Sequence, residues 1–161
     1  MAKPSILMIP GSFTLPEIYD NIVDEVKARG YEIRALHLPS VGLETGPREG
    51  EPPTMYDDAA FIAKETEKLA DEGKDVVLIS HSYSGVPVTE SSKGLGKEER
   101  KRQGKKGGIV HLAYLTALVR AVGTSAADVP MYVHRDHVLD LELDVRALFS
   151  ILHLKTRPLT P

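Results

Sequence analysis

The stretch V-V-L-I-S-H-S-Y-S-G-V-P, from Val76 to Pro87, decides how the rest of the chain is read. Four apolar, mostly β-branched residues, Val76 to Ile79, give way to small polar ones, and apolar residues resume at Val86. That order describes a buried strand, a tight turn and the start of a helix. Ser82 stands in the middle of the turn. A turn that exposes a nucleophilic serine usually reads G-x-S-x-G. Here both glycine positions are serine, Ser80 and Ser84. Serine adds only a hydroxymethyl group, so the pattern is weakened and not broken, and Gly85 keeps the helix entrance uncrowded. The same letters also fit a loop serine that caps the next helix. The surroundings decide between the two.

Those surroundings alternate strand and helix. Ile6–Ile9 is an apolar run stopped by Pro10-Gly11, which predicts a strand ending in a turn. Thr14 and Glu17 have capping-box spacing, and Ile18, Ile22, Val23 and Val26 follow at helical spacing up to Gly30. Tyr31–Leu38 largely alternates and predicts a second strand, and residues 42–56, rich in Gly and Pro, a surface loop. Asp57–Glu72 reads as a helix, Val76–Ile79 as the third strand, Val86–Gln103 as a helix interrupted at Gly94 and Gly96, and Ile109–Leu115 as the fourth strand. The expected class is therefore α/β: a mostly parallel sheet with helices on both faces and function at the carboxyl ends of the strands. One domain spanning 1–161 accommodates this.

Composition narrows the chemistry. With no cysteine, disulfides, thiolate catalysis and Cys-based metal sites are excluded. A net charge of −3 argues against nucleic acid or an acidic membrane surface as partner. The apolar runs fall short of the roughly 18 residues a membrane helix needs and of the roughly 7–15 of a secretory signal, so a cytoplasmic location is expected. Lys97–Lys106 holds six basic residues against two acidic ones without interleaved aromatics, which describes the exposed end of a helix. His134-Arg-Asp-His137 resembles half a metal site, but Tyr132 stands where a further histidine is wanted, so no metal and no cofactor are expected. His37, His81 and His111 lie in or beside strands and read as structural.

Taken in order, P-G-S-F-T-L-P-E-I-Y-D, L-P-S-V-G, D-D-A-A, G-K-D-V-V-L-I-S-H-S-Y-S-G-V-P, K-G-L-G-K-E-E-R and G-K-K-G-G-I-V-H-L-A-Y-L-T-A resemble the α/β-hydrolase family. They are most similar to small fungal and bacterial esterase-like members, distantly related to plant methyl esterases and hydroxynitrile lyases. The resemblance runs from about Lys3 to Ser125, the core segment 3–125, and implies that Ser82 is the nucleophile. It implies oxyanion N–H groups from Tyr83 and Ser12, with Gly11 in the turn and Phe13 lining the site. Family members carry a cap and further strands bearing the acid and the histidine. The remodelled segment 126–161 is shorter than that, and its compressed alignment places the acid at Asp136 and the base at His153, with His137 or His134 as alternatives.

The implied function is serine-dependent hydrolysis of a small carboxylic ester or related acyl substrate. Two other readings stay open. One is a non-catalytic remnant that binds a small molecule or a partner and assembles as a homo-oligomer, since an uncovered Ile109–Leu115 edge invites pairing. The other is a lyase or isomerase step in the same pocket.

Overall fold

The structure, a computed structural model, describes residues 2–42 and 50–119. The chain divides into two units, Met1–Val122 and Gly123–Pro161, and every described element belongs to the first. Four strands, β1 (Ser5–Ile9), β2 (Ile33–Ala35), β3 (Asp75–His81) and β4 (Gly108–Leu115), form one sheet in the order β2-β1-β3-β4. All three pairings are parallel, as the alternation of strand and helix predicts.

Side chains on a strand alternate between faces. Leu7, Ile9, Val76 and Leu78 point to one face and share a core with Ile62 and Leu69 of α2 (Met55–Asp71) and Val88 of α3 (Gly85–Ser91). Ile6, Met8, Val77 and Ile79, equally buried, point to the other. There α1 (Asp20–Ala28) turns in Ile22, Val23 and Val26. Right-handed crossovers require this division. The β1–α1–β2 connection steps one way along the sheet, β2–α2–β3 steps back past β1, and the two helices fall on opposite faces. The strand order reverses between β1 and β3, and in such sheets ligands bind outside the carboxyl ends of the strands at that point.

Local deviations from the predicted elements have identifiable causes. Thr14 does not cap α1: its hydroxyl donates to the Ser12 carbonyl (2.9 Å), and the helix is entered through a 3-10 turn at Pro16–Tyr19. A capping carboxylate appears instead at α2, where Asp57 accepts the Thr54 N–H (2.7 Å). β2 is shorter than Tyr31–Leu38. After Leu36 N–H donates to Met8 O, the chain turns, with Val41 N–H donating to Leu38 O, while Leu36 and Leu38 stay buried. The helix predicted over 86–103 is two, α3 and α4 (Lys97–Arg102). Between them the chain lies alongside β4, where Leu95 O accepts the Ile109 N–H (2.8 Å) and Gly96 bridges to Ile109.

The basic segment is also not uniformly exposed. Arg100 is only 1% exposed. Its Nε donates to Gly107 O (2.8 Å) and its Nη2 to Asp71 Oδ1 (2.5 Å), so one guanidinium ties α4 to the end of α2 and to the start of β4. Arg100→Met keeps the apolar volume but removes the donor to a buried carbonyl, a loss of about 1–3 kcal/mol. Urea denaturation is expected to show a decrease of that size. A change below about 0.5 kcal/mol, the ordinary range for a surface substitution, would contradict the buried tie.

Candidate active site

β3 ends at His81, and the next residue departs sharply from the strand. Ser82 has φ +56°, the left-handed region that an L-residue enters at a cost of roughly 1–3 kcal/mol. A 3-10 turn, Ser82–Ser84, then leads into α3 at Gly85. The conformation is held from several sides. The Leu118 N–H donates to Ser82 O (2.9 Å), and the His81 N–H donates to Ser84 Oγ (2.9 Å). The Ser84 hydroxyl has Ile9 O (2.8 Å) and His81 O (2.9 Å) within reach of its single proton. Ser80 Oγ donates to Ala113 O on β4 (3.2 Å). The two serines that replace the expected glycines are thus both fully buried and both hydrogen-bonded to a neighbouring strand. Gly85 does require glycine, because a Cβ there would overlap the Leu118 carbonyl oxygen.

The turn after β1 packs directly against this one. A Cβ on Gly11 would lie 3.2 Å from Ser82 Cβ and 3.3 Å from His81 Nδ1, so a larger residue would push the two turns apart. Ser12 is exposed, and Phe13, also at φ +56°, is 97% exposed. Tyr19 joins the two turns. Its hydroxyl accepts the Gly11 N–H (3.3 Å) and lies 2.7 Å from His81 Nδ1. The Tyr19 hydroxyl and His81 Nδ1 share one hydrogen bond, whose donor follows from the imidazole tautomer. Burial lowers the pKa of His81 and raises that of Tyr19, so both are neutral around pH 7.

A third loop joins from the carboxyl end of β2. The Tyr83 ring packs against the core, and its hydroxyl donates to Asp58 Oδ2 (2.9 Å). Asp58 also accepts the Ser40 N–H (2.9 Å) and the Ser40 hydroxyl (2.6 Å). Burial, then the Asp58 carboxylate, push the Tyr83 phenol up to about 12.

Gly11, Ser12 and Phe13 therefore follow β1, and Ser82 and Tyr83 follow the adjacent β3, at the same edge of the sheet. The Tyr83 N–H belongs to a first helical turn, which has no intrahelical acceptor behind it. None of the hydrogen bonds among the described residues uses the Ser12 N–H. Asp136 and His153, with the alternatives His134 and His137, lie outside the described residues. Tyr19, Ser40 and Asp58 were not singled out by sequence reasoning. Asp58 reads as an ordinary acid in the first turn of a helix, and only the fold brings it to Tyr83. Among the described residues no group of three or more His, Asp or Glu side chains is placed to hold a metal ion, and no helix is long and apolar enough to cross a membrane.

A parallel sheet with a left-handed serine turn at its switch point, flanked by helices, has the architecture of an α/β hydrolase. The sequence profile of the alpha/beta hydrolase family matches residues 6–158, and the chain belongs to that family. It is 38% identical over 125 residues to the alpha/beta hydrolase nvfD of Aspergillus novofumigatus, covering 78% of this chain and 47% of that protein. It is 35% identical over 129 residues to a probable hydrolase of a Phoma species, covering 80% and 48%. The chain thus spans about half the length of these relatives. Among solved structures it resembles an extracellular alpha/beta-hydrolase from a Paenibacillus species, described as homologous to tobacco salicylic acid binding protein 2 (TM-score 0.56, 17% identity, 78% of this chain and 46% of that one). It also resembles tomato methylketone synthase I complexed with 2-tridecanone (TM-score 0.58, 16% identity, 78% and 44%). At such identities the likeness concerns the fold.

The neutral imidazole at His81 has a consequence for stability. Its pKa in the folded chain lies below the ordinary 6.5, so the unfolded chain takes up this proton more readily. The associated stability is complete above about pH 6.5 and is lost as pH falls through that value toward the folded-state pKa. The melting temperature is expected to fall between about pH 7 and about pH 5, and to fall less steeply in His81→Asn. An unchanged slope in the variant would contradict the assignment.

Proposed function

We propose that this chain is a serine hydrolase that acts on a small carboxylic ester or related acyl substrate through Ser82 and a backbone oxyanion hole. The observation that carries the reading is the left-handed Ser82 at the switch point, with Gly11 close enough that a Cβ would meet it at 3.2 Å. A strained backbone held by this many ties is of the kind that clusters at functional sites. Membership of the hydrolase family and the hydrolase names of its relatives support the same reading.

In the proposed reaction, Ser82 Oγ attacks the ester carbonyl carbon while a base takes its proton. The carbonyl oxygen becomes an oxyanion, stabilised by the N–H groups of Tyr83 and Ser12. Collapse breaks the bond to the alcohol oxygen, which leaves with the proton returned by the base and an acyl group on Ser82. Water, deprotonated by the same base, then releases the acid and restores the serine. On the family resemblance, His153 is the proposed base and Asp136 the proposed acid that orients it. His81 is read instead as structural, joined through Nδ1 to the Tyr19 hydroxyl.

A fluorophosphonate, which reports an activated serine by forming a covalent adduct, tests the reading. Stoichiometric labelling of the wild type and none of Ser82→Ala is expected, together with loss of ester turnover in the variant. A folded wild-type protein that takes no label would sink the activated nucleophile and leave a binding protein of this fold.

A further inference from the structure

Asp58 has no place in the reaction just described, yet its side chain is arranged at a cost. It is 0% exposed, and a buried carboxylate is expensive unless its oxygens are well supplied with hydrogen bonds. Here three donors converge on it: the Ser40 N–H and the Ser40 hydroxyl from the loop after β2, and the Tyr83 hydroxyl from the turn after β3. All three are neutral groups. A charge stabilised only by neutral donors contributes little to folding that an apolar residue of similar size could not supply. Its distinctive property is geometric, because it fixes the far end of Tyr83 while the ring is packed against the core.

That matters because Tyr83 follows the strained residue. The 3-10 turn of Ser82–Ser84 is three residues long and supplies few constraints of its own. The direction of the Tyr83 N–H depends on the peptide between Ser82 and Tyr83. A ring anchored at both its face and its hydroxyl restricts how that peptide can rotate. The raised pKa of the Tyr83 phenol, about 12, keeps the donor protonated throughout the working pH range.

We propose that Asp58 is a positioning residue: by holding the Tyr83 hydroxyl, it sets the Tyr83 backbone N–H for the developing oxyanion at Ser82. The inference rests on the reading of Ser82 as nucleophile and of the Tyr83 N–H as oxyanion donor. Ser40 completes the shell of the carboxylate, and its side chain also interacts with the Tyr83 phenol, the smallest of the influences on that group.

Two variants separate positioning from general packing. Tyr83→Phe keeps the ring and removes only the hydroxyl that reaches Asp58, whereas Ser40→Ala removes another donor to the same carboxylate and a lesser contact to the phenol but leaves the bond between Tyr83 and Asp58 in place. The rate constant for fluorophosphonate labelling is expected to fall roughly 10- to 100-fold in Tyr83→Phe, the scale of a small misplacement, and to stay within about twofold in Ser40→Ala. Hydrogen exchange of the backbone amides over residues 82–85, which needs no activity, is expected to quicken in Tyr83→Phe and not in Ser40→Ala. Equal effects of the two variants, or none from Tyr83→Phe, in either measurement would overturn the proposal. If the wild type takes no label, the nucleophile reading fails by itself, and the exchange comparison alone decides whether Asp58 positions the turn.

Discussion

A single backbone conformation organises this molecule. Ser82 sits at φ +56°, where a side chain crowds its own peptide, and it does so at the end of a buried strand with no room to relax. The neighbouring elements serve to keep it there. Ser84 reaches back to β1, Ser80 reaches across to β4, and the Leu118 N–H closes on the Ser82 carbonyl. Gly11 lets the turn after β1 pack against Ser82, since a Cβ there would lie only 3.2 Å from Ser82 Cβ. Ordinary loops do not hold a non-glycine residue this way without compensation.

The loops at the carboxyl edge are joined in pairs by hydroxyl groups. Tyr19 links the turn after β1 to His81 at the end of β3, and Tyr83 links the turn after β3 to Asp58 and, through it, to Ser40 after β2. Each bridge ends on a polar side chain at the carboxyl edge of the sheet, His81 or Asp58. Burial keeps the His81 imidazole neutral, and the three donors supply Asp58. The sheet supplies the coarse placement, since parallel pairing of β1 with β3 puts both turns on one edge. The bridges then tie the turns after β1 and β3 to each other and to the loop after β2.

The coarse layer was legible in the sequence because its causes are local and periodic. Apolar runs such as Ile6–Ile9 and Val76–Ile79 announce strands, Pro10-Gly11 and Gly73 announce turns, and alternation with helical segments announces a parallel sheet. The turn at Ser82 was legible for the same reason. The errors arose where tertiary contact overrode local signals. Thr14 looked like a cap until its hydroxyl was claimed by the Ser12 carbonyl, and Arg100 looked solvated until the Gly107 carbonyl and Asp71 were seen beside it. The Ser80 and Ser84 replacements looked like mere weakenings of a glycine pattern, because partners on other strands have no signature in sequence spacing. Asp58 and Tyr83 stand 25 positions apart, which no periodic argument would pair. The candidates for acid and base belong to the stretch after Val119, where strand and helix periodicities compete, and they lie outside the described residues.

In the proposed reaction the oxyanion forms beside Ser82, between the N–H groups of Ser12 and Tyr83. A crystal structure of the protein after treatment with a fluorophosphonate tests this placement most directly. The expected result is phosphorus bonded to Ser82 Oγ, with the phosphoryl oxygen about 2.7–3.1 Å from the N–H groups of both Ser12 and Tyr83. An adduct whose oxygen points to solvent, away from both N–H groups, would contradict the account.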